Sequence, residues 1–249
     1  MLYRKSFGAI TLAAALGMAA AGALAQNPVA DAARYDAAKY PDWSGQWRRP
    51  ETGPNRYDPS KPPGRAQRAP LTPEFQAIFE AGLADQKEGG SGTNMTSSCL
   101  PSGLPRDMSG NQGLEFVITP STTYVLFDNA MPRRIYTDGR DWPENEEPSF
   151  TGYAIGKWLD EDGDGRYSVL EVETRNFAGP RTFDNAGIPL HPDNQTILKE
   201  RIYRDKANPR ILHNEMTAID HALTRPWTVH KDLSAGKNAD LGREHLHRR

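Results

Sequence analysis

A mostly β fold, an antiparallel barrel or strongly curved sheet with one packed helix and long proline-rich loops, is what the sequence predicts, and three observations predict it. Residues 150–177, FTGYAIGKWLDEDGDGRYSVLEVETRNF, alternate in character on both sides of an acidic, glycine-rich connection and so read as a long β-hairpin. On the way out Ala154, Gly156 and Trp158 share one face; on the return Leu170, Val172 and Thr174 do. Twenty prolines and 22 glycines are spread through the 249 residues, which suits short strands and ordered loops better than a helical bundle. Only the stretch opening at Leu71-Thr72-Pro73-Glu74 has the signals of a substantial helix: Thr72 as N-cap, Pro73 at the first position, and Phe75, Ile78, Phe79 and Leu83 on one face. That face is expected to pack on the sheet.

The chain begins with Arg4 and Lys5, then an apolar, alanine-rich run over residues 7–21, then Ala23-Leu24-Ala25. This is the pattern of an export signal over residues 1–25, cleaved before Gln26, and its apolar run is too short to persist as a membrane span. The protein is therefore expected to be exported, to the periplasm or the medium, with no membrane insertion after cleavage. Cys99, the single cysteine, lies far from the cleavage point and has no partner for an internal disulfide. Residues 26–40 form an alanine-rich leader, 41–232 a single β-rich domain and 233–249 a polar tail that includes His245 and His247. Thirty Lys and Arg stand against 32 Asp and Glu, a net charge of −2 with the signs interspersed. Such a balance offers no broad attraction for nucleic acid or anionic lipid.

Within the domain, Trp43 and Trp47 flank Gly45 before a run of prolines that blocks regular structure up to about Pro70. After the helix, Gly89-Gly90-Ser91-Gly92 and the segment 99–105 are loops. Strands are expected over 115–119, 123–127 and 133–137, a second hairpin over 196–204 and 211–220, and a closing segment over 222–229.

Gly45-Gln46-Trp47 resembles the Gly-x-Trp start of lipocalin-type barrels, and the succession of hairpins is consistent with one. The blocks 115–120, 133–140, Glu200-Arg201 and 222–227 look like those of a family of exported bacterial proteins of undefined function. The resemblance implies a lipocalin-like (calycin-type) barrel and brings no catalytic assignment with it.

Candidate chemistry lies among polar residues on sheet faces. His213, Glu215 and Thr217 share one parity, so an imidazole and a carboxylate lie side by side. They form either an acid/base pair suited to proton transfer or the solvent face of an antiparallel strand. Arg134, Tyr136 and Arg140 cluster on one strand and turn, able either to grip a carboxylate or phenolate or to form surface ion pairs. Trp47, Trp142 and Trp158 are the aromatics expected at a barrel mouth. Asp160, Asp162, Asp164 and Glu171 stand at positions 1, 3, 5 and 12 of a calcium-loop template, while the strands at both ends favour a solvated turn over an ion site. Otherwise no cofactor is expected: zinc-finger spacings, nucleophile elbows and phosphate loops are missing from the sequence. His191 sits in a rigid loop without a partner at motif spacing. Two functions follow from these features. One is an exported protein binding a small, partly apolar, anionic or phenolic molecule; the alternative is a cofactor-independent lyase, isomerase or hydratase working through His213 and Glu215.

Overall fold

The computed structural model describes residues 36–49, 69–109 and 112–236. The export signal, the leader up to residue 35, the proline-rich stretch 50–68 and the tail from residue 237, with His245 and His247, lie outside the described residues.

In chain order the strands are β1 (Gln46–Arg48), β2 (Leu114–Ile118), β3 (Thr122–Phe127), β4 (Arg133–Tyr136), β5 (Tyr153–Leu159), β6 (Val169–Arg175), β7 (Arg181–Thr182), β8 (Pro189–Leu190), β9 (Ile197–Arg204), β10 (Ile211–Ile219) and β11 (Trp227–Ala235). Nine of them close a barrel in the order β1-β11-β10-β9-β6-β5-β4-β3-β2, and β7 and β8 form a separate two-stranded piece. The mostly β class and the barrel are as the sequence predicts, and the architecture is consistent with a lipocalin-like barrel. Every neighbouring pair in the barrel is antiparallel except β4 and β5, which run parallel.

The hairpin at the centre of the sequence is β5 and β6, in the register Ala154↔Thr174, Gly156↔Val172, Trp158↔Leu170, so the two faces meet and both are buried. Alternation decides what is inside: β10 buries Leu212, Asn214, Met216 and Ala218 and turns the odd positions outward. Gly156 is a spacing requirement. A Cβ there would stand 2.6 Å from Ile135 Cγ2, so only hydrogen lets β4 and β5 approach. Trp43 packs on Trp158 (4.9 Å between centroids) and edge-on to Phe116 (5.2 Å), and Trp47 Nε1 donates to the Trp43 carbonyl at 2.9 Å.

The expected boundaries shift at both ends. Tyr40, in the leader by sequence, packs on Trp158 and Tyr167, while the Lys39 carbonyl accepts the Tyr167 N–H at 2.7 Å. At the other end the closing segment is β11, which begins at Trp227 and runs through residues 233–235 of the expected tail. Its inner positions Trp227, Val229, Lys231 and Leu233 share one parity.

Helix α1 (Pro73–Lys87) starts where predicted, with Thr72 Oγ1 accepting the Phe75 N–H at 3.4 Å and Pro73 in the first turn. The expected packing face is narrower than its pattern suggested. Phe75 is buried and Phe79 half-buried against the core, but Ile78 and Leu83 are 42 % and 44 % exposed. The physical reason is the point of attachment. The helix is tied down at its N-terminus, where Thr72 N donates to the Ala222 carbonyl and Thr224 N to that of Pro70, while Asp85 in its last turns accepts the Gly92 N–H of the following loop at 2.7 Å. A short helix α2 (Arg106–Ser109) follows, and among the described residues no helix is long and apolar enough to cross a membrane.

Candidate functional site

Inside the barrel, strand parity brings a polar group into an apolar wall. Arg133 shares the inward parity of Ile135, Thr174 that of Leu170 and Val172, Glu200 that of Leu198 and Ile202, and Asn214 that of Leu212 and Met216. Between β4 and β6 lies β5, whose inner residues at this level are only Ala154 and Gly156, and over them the Arg133 side chain reaches across. Arg133 Nη2 donates to Thr174 Oγ1 at 2.7 Å and to Glu200 Oε2, and Asn214 Nδ2 donates to Glu200 Oε1 at 3.0 Å. The Arg133 and Glu200 side chains are 1 % and 0 % exposed.

This group is not closed on itself. Arg133 Nε and Nη1 and Asn214 Oδ1 are buried without a hydrogen-bond partner. A guanidinium has five N–H donors, so after both bonds of Nη2 three remain unmatched. An unmade bond at a buried group costs about 1–3 kcal/mol, which is why such groups normally meet protein, water or ligand. Lys231 lies opposite Asn214 on the neighbouring strand, facing the same interior. Burial pushes its ammonium down to about 8, with Asp184 pulling the other way and Arg49 adding to the fall.

The residues singled out from sequence fall into separate places. Trp47 and Trp158 are core residues, 2 % and 7 % exposed, and Trp158 Nε1 donates to Thr123 Oγ1 at 3.3 Å. Arg134 and Tyr136 lie on the outer face of β4, where Arg134 is exposed. Arg140 stacks 3.8 Å above the Tyr136 ring and is ion-paired to Asp138 at 2.6 Å, which holds the Asp138 carboxyl below the usual range. Trp142 packs on Tyr153 at 6.1 Å with Arg175 4.5 Å over its ring, beside a surface cavity of about 350 Å³. These six residues therefore do not surround one space: two are inside and four outside.

His213 and Glu215 share the outer face of β10 without bonding each other. His213 Nδ1 meets Asp232 Oδ1 at 2.8 Å and Nε2 meets Asp205 Oδ2 at 2.9 Å. Burial works to lower its pKa, but the two carboxylates outweigh it and the net shift is upward. Glu215 accepts instead from the Tyr203 hydroxyl at 2.8 Å, and burial together with that bond pushes Tyr203 up to about 12.

In the β5–β6 connection Asp160 is a turn cap: Oδ1 accepts the Gly163 N–H (2.7 Å) and the Asp164 N–H (3.2 Å), and Oδ2 that of Gly165 (2.8 Å). Asp164 takes the Arg166 N–H and Asp162 pairs with Lys206 at 2.5 Å. Glu171 projects from the outer face of β6, between its cross-strand neighbours Lys157 and Arg201. No three of these four carboxylates converge on one point. Among the described residues the group whose ligand atoms do converge is His191, Asp193 and His221.

The missed residues carried a sequence signal. Asn214 is the lone polar side chain on the otherwise apolar parity of β10, Glu200 stands between Leu198 and Ile202 on its parity of β9, and Arg133 is separated from Arg134 by parity alone. The chain matches no family model, no curated protein and no solved structure.

Proposed function

We propose that this protein is an exported carrier, periplasmic or secreted, that holds a small, partly apolar molecule inside its barrel and meets one anionic or phenolic acceptor on that molecule with Arg133. One observation carries the reading: three N–H donors of a fully buried guanidinium lack an acceptor inside a barrel whose wall is mostly apolar. The polar neighbours suit that role. Glu200 balances the charge of Arg133 and fixes its position, and Asn214 Oδ1 is left to accept from a ligand hydroxyl. A lining of apolar and aromatic side chains around a few fixed polar groups is the usual composition of small-molecule sites.

The test is a titration of aromatic and medium-chain carboxylates and phenols followed by tryptophan fluorescence, which reports the buried Trp43 and Trp158. Each carboxylate is run beside its methyl ester, with native mass spectrometry of the protein from its host. Carboxylates are expected to bind at least about tenfold tighter than their esters, on the scale of one charge-assisted hydrogen bond. Equal binding of acid and ester, or no fluorescence response together with a native mass equal to the bare chain, overturns the proposal.

A further inference from the structure

His191 and Asp193 lie in the loop between β8 and β9, and His221 lies just after β10. They are far apart in sequence, yet a ligand atom of each comes within 4.8 Å of the other two. Asp193 Oδ2 is 3.0 Å from His191 Nδ1 and 2.5 Å from His221 Nδ1, and the two imidazoles stand nearly perpendicular, centroids 5.8 Å apart. His191 Nδ1 also takes the backbone N–H of Asp193 at 3.2 Å. His191 Nδ1 thus lies within reach of both the N–H and the carboxylate of Asp193, so an ion shared by Nδ1 and Oδ2 would take the lone pair now given to that N–H.

A buried network fixes the cluster from behind. Asp220 Oδ1 accepts the His191 N–H at 2.9 Å and the Ala222 N–H at 2.8 Å, so one carboxylate positions both ligand-bearing segments. Its Oδ2 accepts from Thr196 Oγ1 at 2.5 Å, and Arg181 Nη2 donates to Thr196 Oγ1 at 2.5 Å and to the His191 carbonyl at 3.2 Å. Asp220, Thr196 and Arg181 are all buried. The Asp193 carboxylate is oriented too, because Oδ1 accepts the Gln195 N–H at 3.0 Å and Oδ2 is turned to the imidazoles. The His191 ring lies against Phe75 of α1 at 5.3 Å. Oriented ligands with a hydrogen-bonded second layer are what a metal site needs before the ion arrives.

We infer that His191, Asp193 and His221 form a binding site for a divalent transition ion, with zinc the natural occupant. Two imidazoles and one carboxylate are nitrogen and oxygen donors of the kind zinc takes at about 2.0–2.2 Å, whereas calcium and magnesium require all-oxygen shells. Three protein ligands leave at least one position for water or another oxygen ligand, and the ion ties the β8–β9 loop to the β10–β11 connection.

The experiment uses the full chain stripped with a chelator and then given zinc, cobalt or magnesium, with thermal melting and the visible spectrum of cobalt as readouts. At a hundredfold excess over the dissociation constant, zinc is expected to raise the melting temperature by about 5–10 °C and magnesium to leave it unchanged. Cobalt is expected to show the visible bands of a nitrogen-ligated site. Both signals are lost in His221→Ala and in Asp193→Asn, and both persist in a His245→Ala/His247→Ala variant, which separates the cluster from the histidines of the tail. Melting that ignores zinc and cobalt, a shift that magnesium matches, or a zinc shift that survives His221→Ala overturns the inference.

Discussion

Arg133 and Glu200 meet inside the barrel, 67 positions apart in sequence, with both side chains sealed from solvent. Removing one partner leaves the other charge buried, whereas replacing both leaves no buried charge. Arg133→Met should therefore destabilise by about 3–5 kcal/mol in urea unfolding, and Arg133→Met with Glu200→Met should recover most of that loss. Additive single losses would show that the two charges do not depend on each other.

Lys231 makes stability depend on alkaline pH. Its pKa is about 8 in the fold against 10.5 unfolded, so between these values the unfolded chain binds more protons and stability rises with pH. The shift corresponds to roughly 3 kcal/mol over that window. Chemical unfolding at pH 7, 8.5 and 10 should show the rise in wild type and not in Lys231→Met; parallel curves for the two would refute it.

His213 works in the opposite sense. Its pKa is raised in the fold, so the stability it contributes is complete below its unfolded value of 6.5 and disappears as pH climbs through the higher folded value. His213→Gln should consequently cost more stability at pH 5 than at pH 9. A pH-independent cost would mean the ring acts by packing on Tyr203 alone, 5.1 Å away.

For helix α1, attachment through its first turn sets the order of effects. Phe75→Ala should cost about 3–5 kcal/mol and Thr72→Ala about 1 kcal/mol or less, given the 3.4 Å cap bond. Half-buried Phe79→Ala should fall below Phe75→Ala, and Leu83→Ser should stay within about 0.5 kcal/mol of wild type. A Leu83→Ser loss as large as that of Phe75→Ala would mean that the far turns are packed after all.

Strand positions were legible because a two-residue period is a strong signal, and β5 and β6 form the expected hairpin with the expected parities. Helix α1 was legible at its start, where Thr72 and Pro73 act locally, and misread on Ile78 and Leu83, because amphipathic spacing says which residues share a face and not whether anything covers it. The candidate site was half hidden. Alternation alone separates Arg133 from Arg134, but the meeting of Arg133 with Glu200 depends on a strand order that no local pattern encodes. His191 and His221 meet because the β9–β10 hairpin sets Ile197 opposite Ile219, and neither residue lies within a strand whose alternation would mark it.

Strands that alternate direction around a closed cylinder must be even in number. This barrel has nine, so one neighbouring pair is obliged to run the same way, and β4 with β5 is that pair. It is a seam imposed by parity, and it is short: only Ile135↔Ala154 and Tyr136↔Ile155 are in register across it, against eight residue pairs between β9 and β10. Few rungs mean little resistance to local opening, so the cylinder should part there, as at the equally short boundaries of β1, before it parts between β9 and β10. Amide hydrogens bridging β4 and β5 should then exchange with solvent faster than those between β9 and β10, and the route by which a guest reaches Arg133, itself on β4, would run through that seam. Equal protection across both boundaries would place the entrance elsewhere.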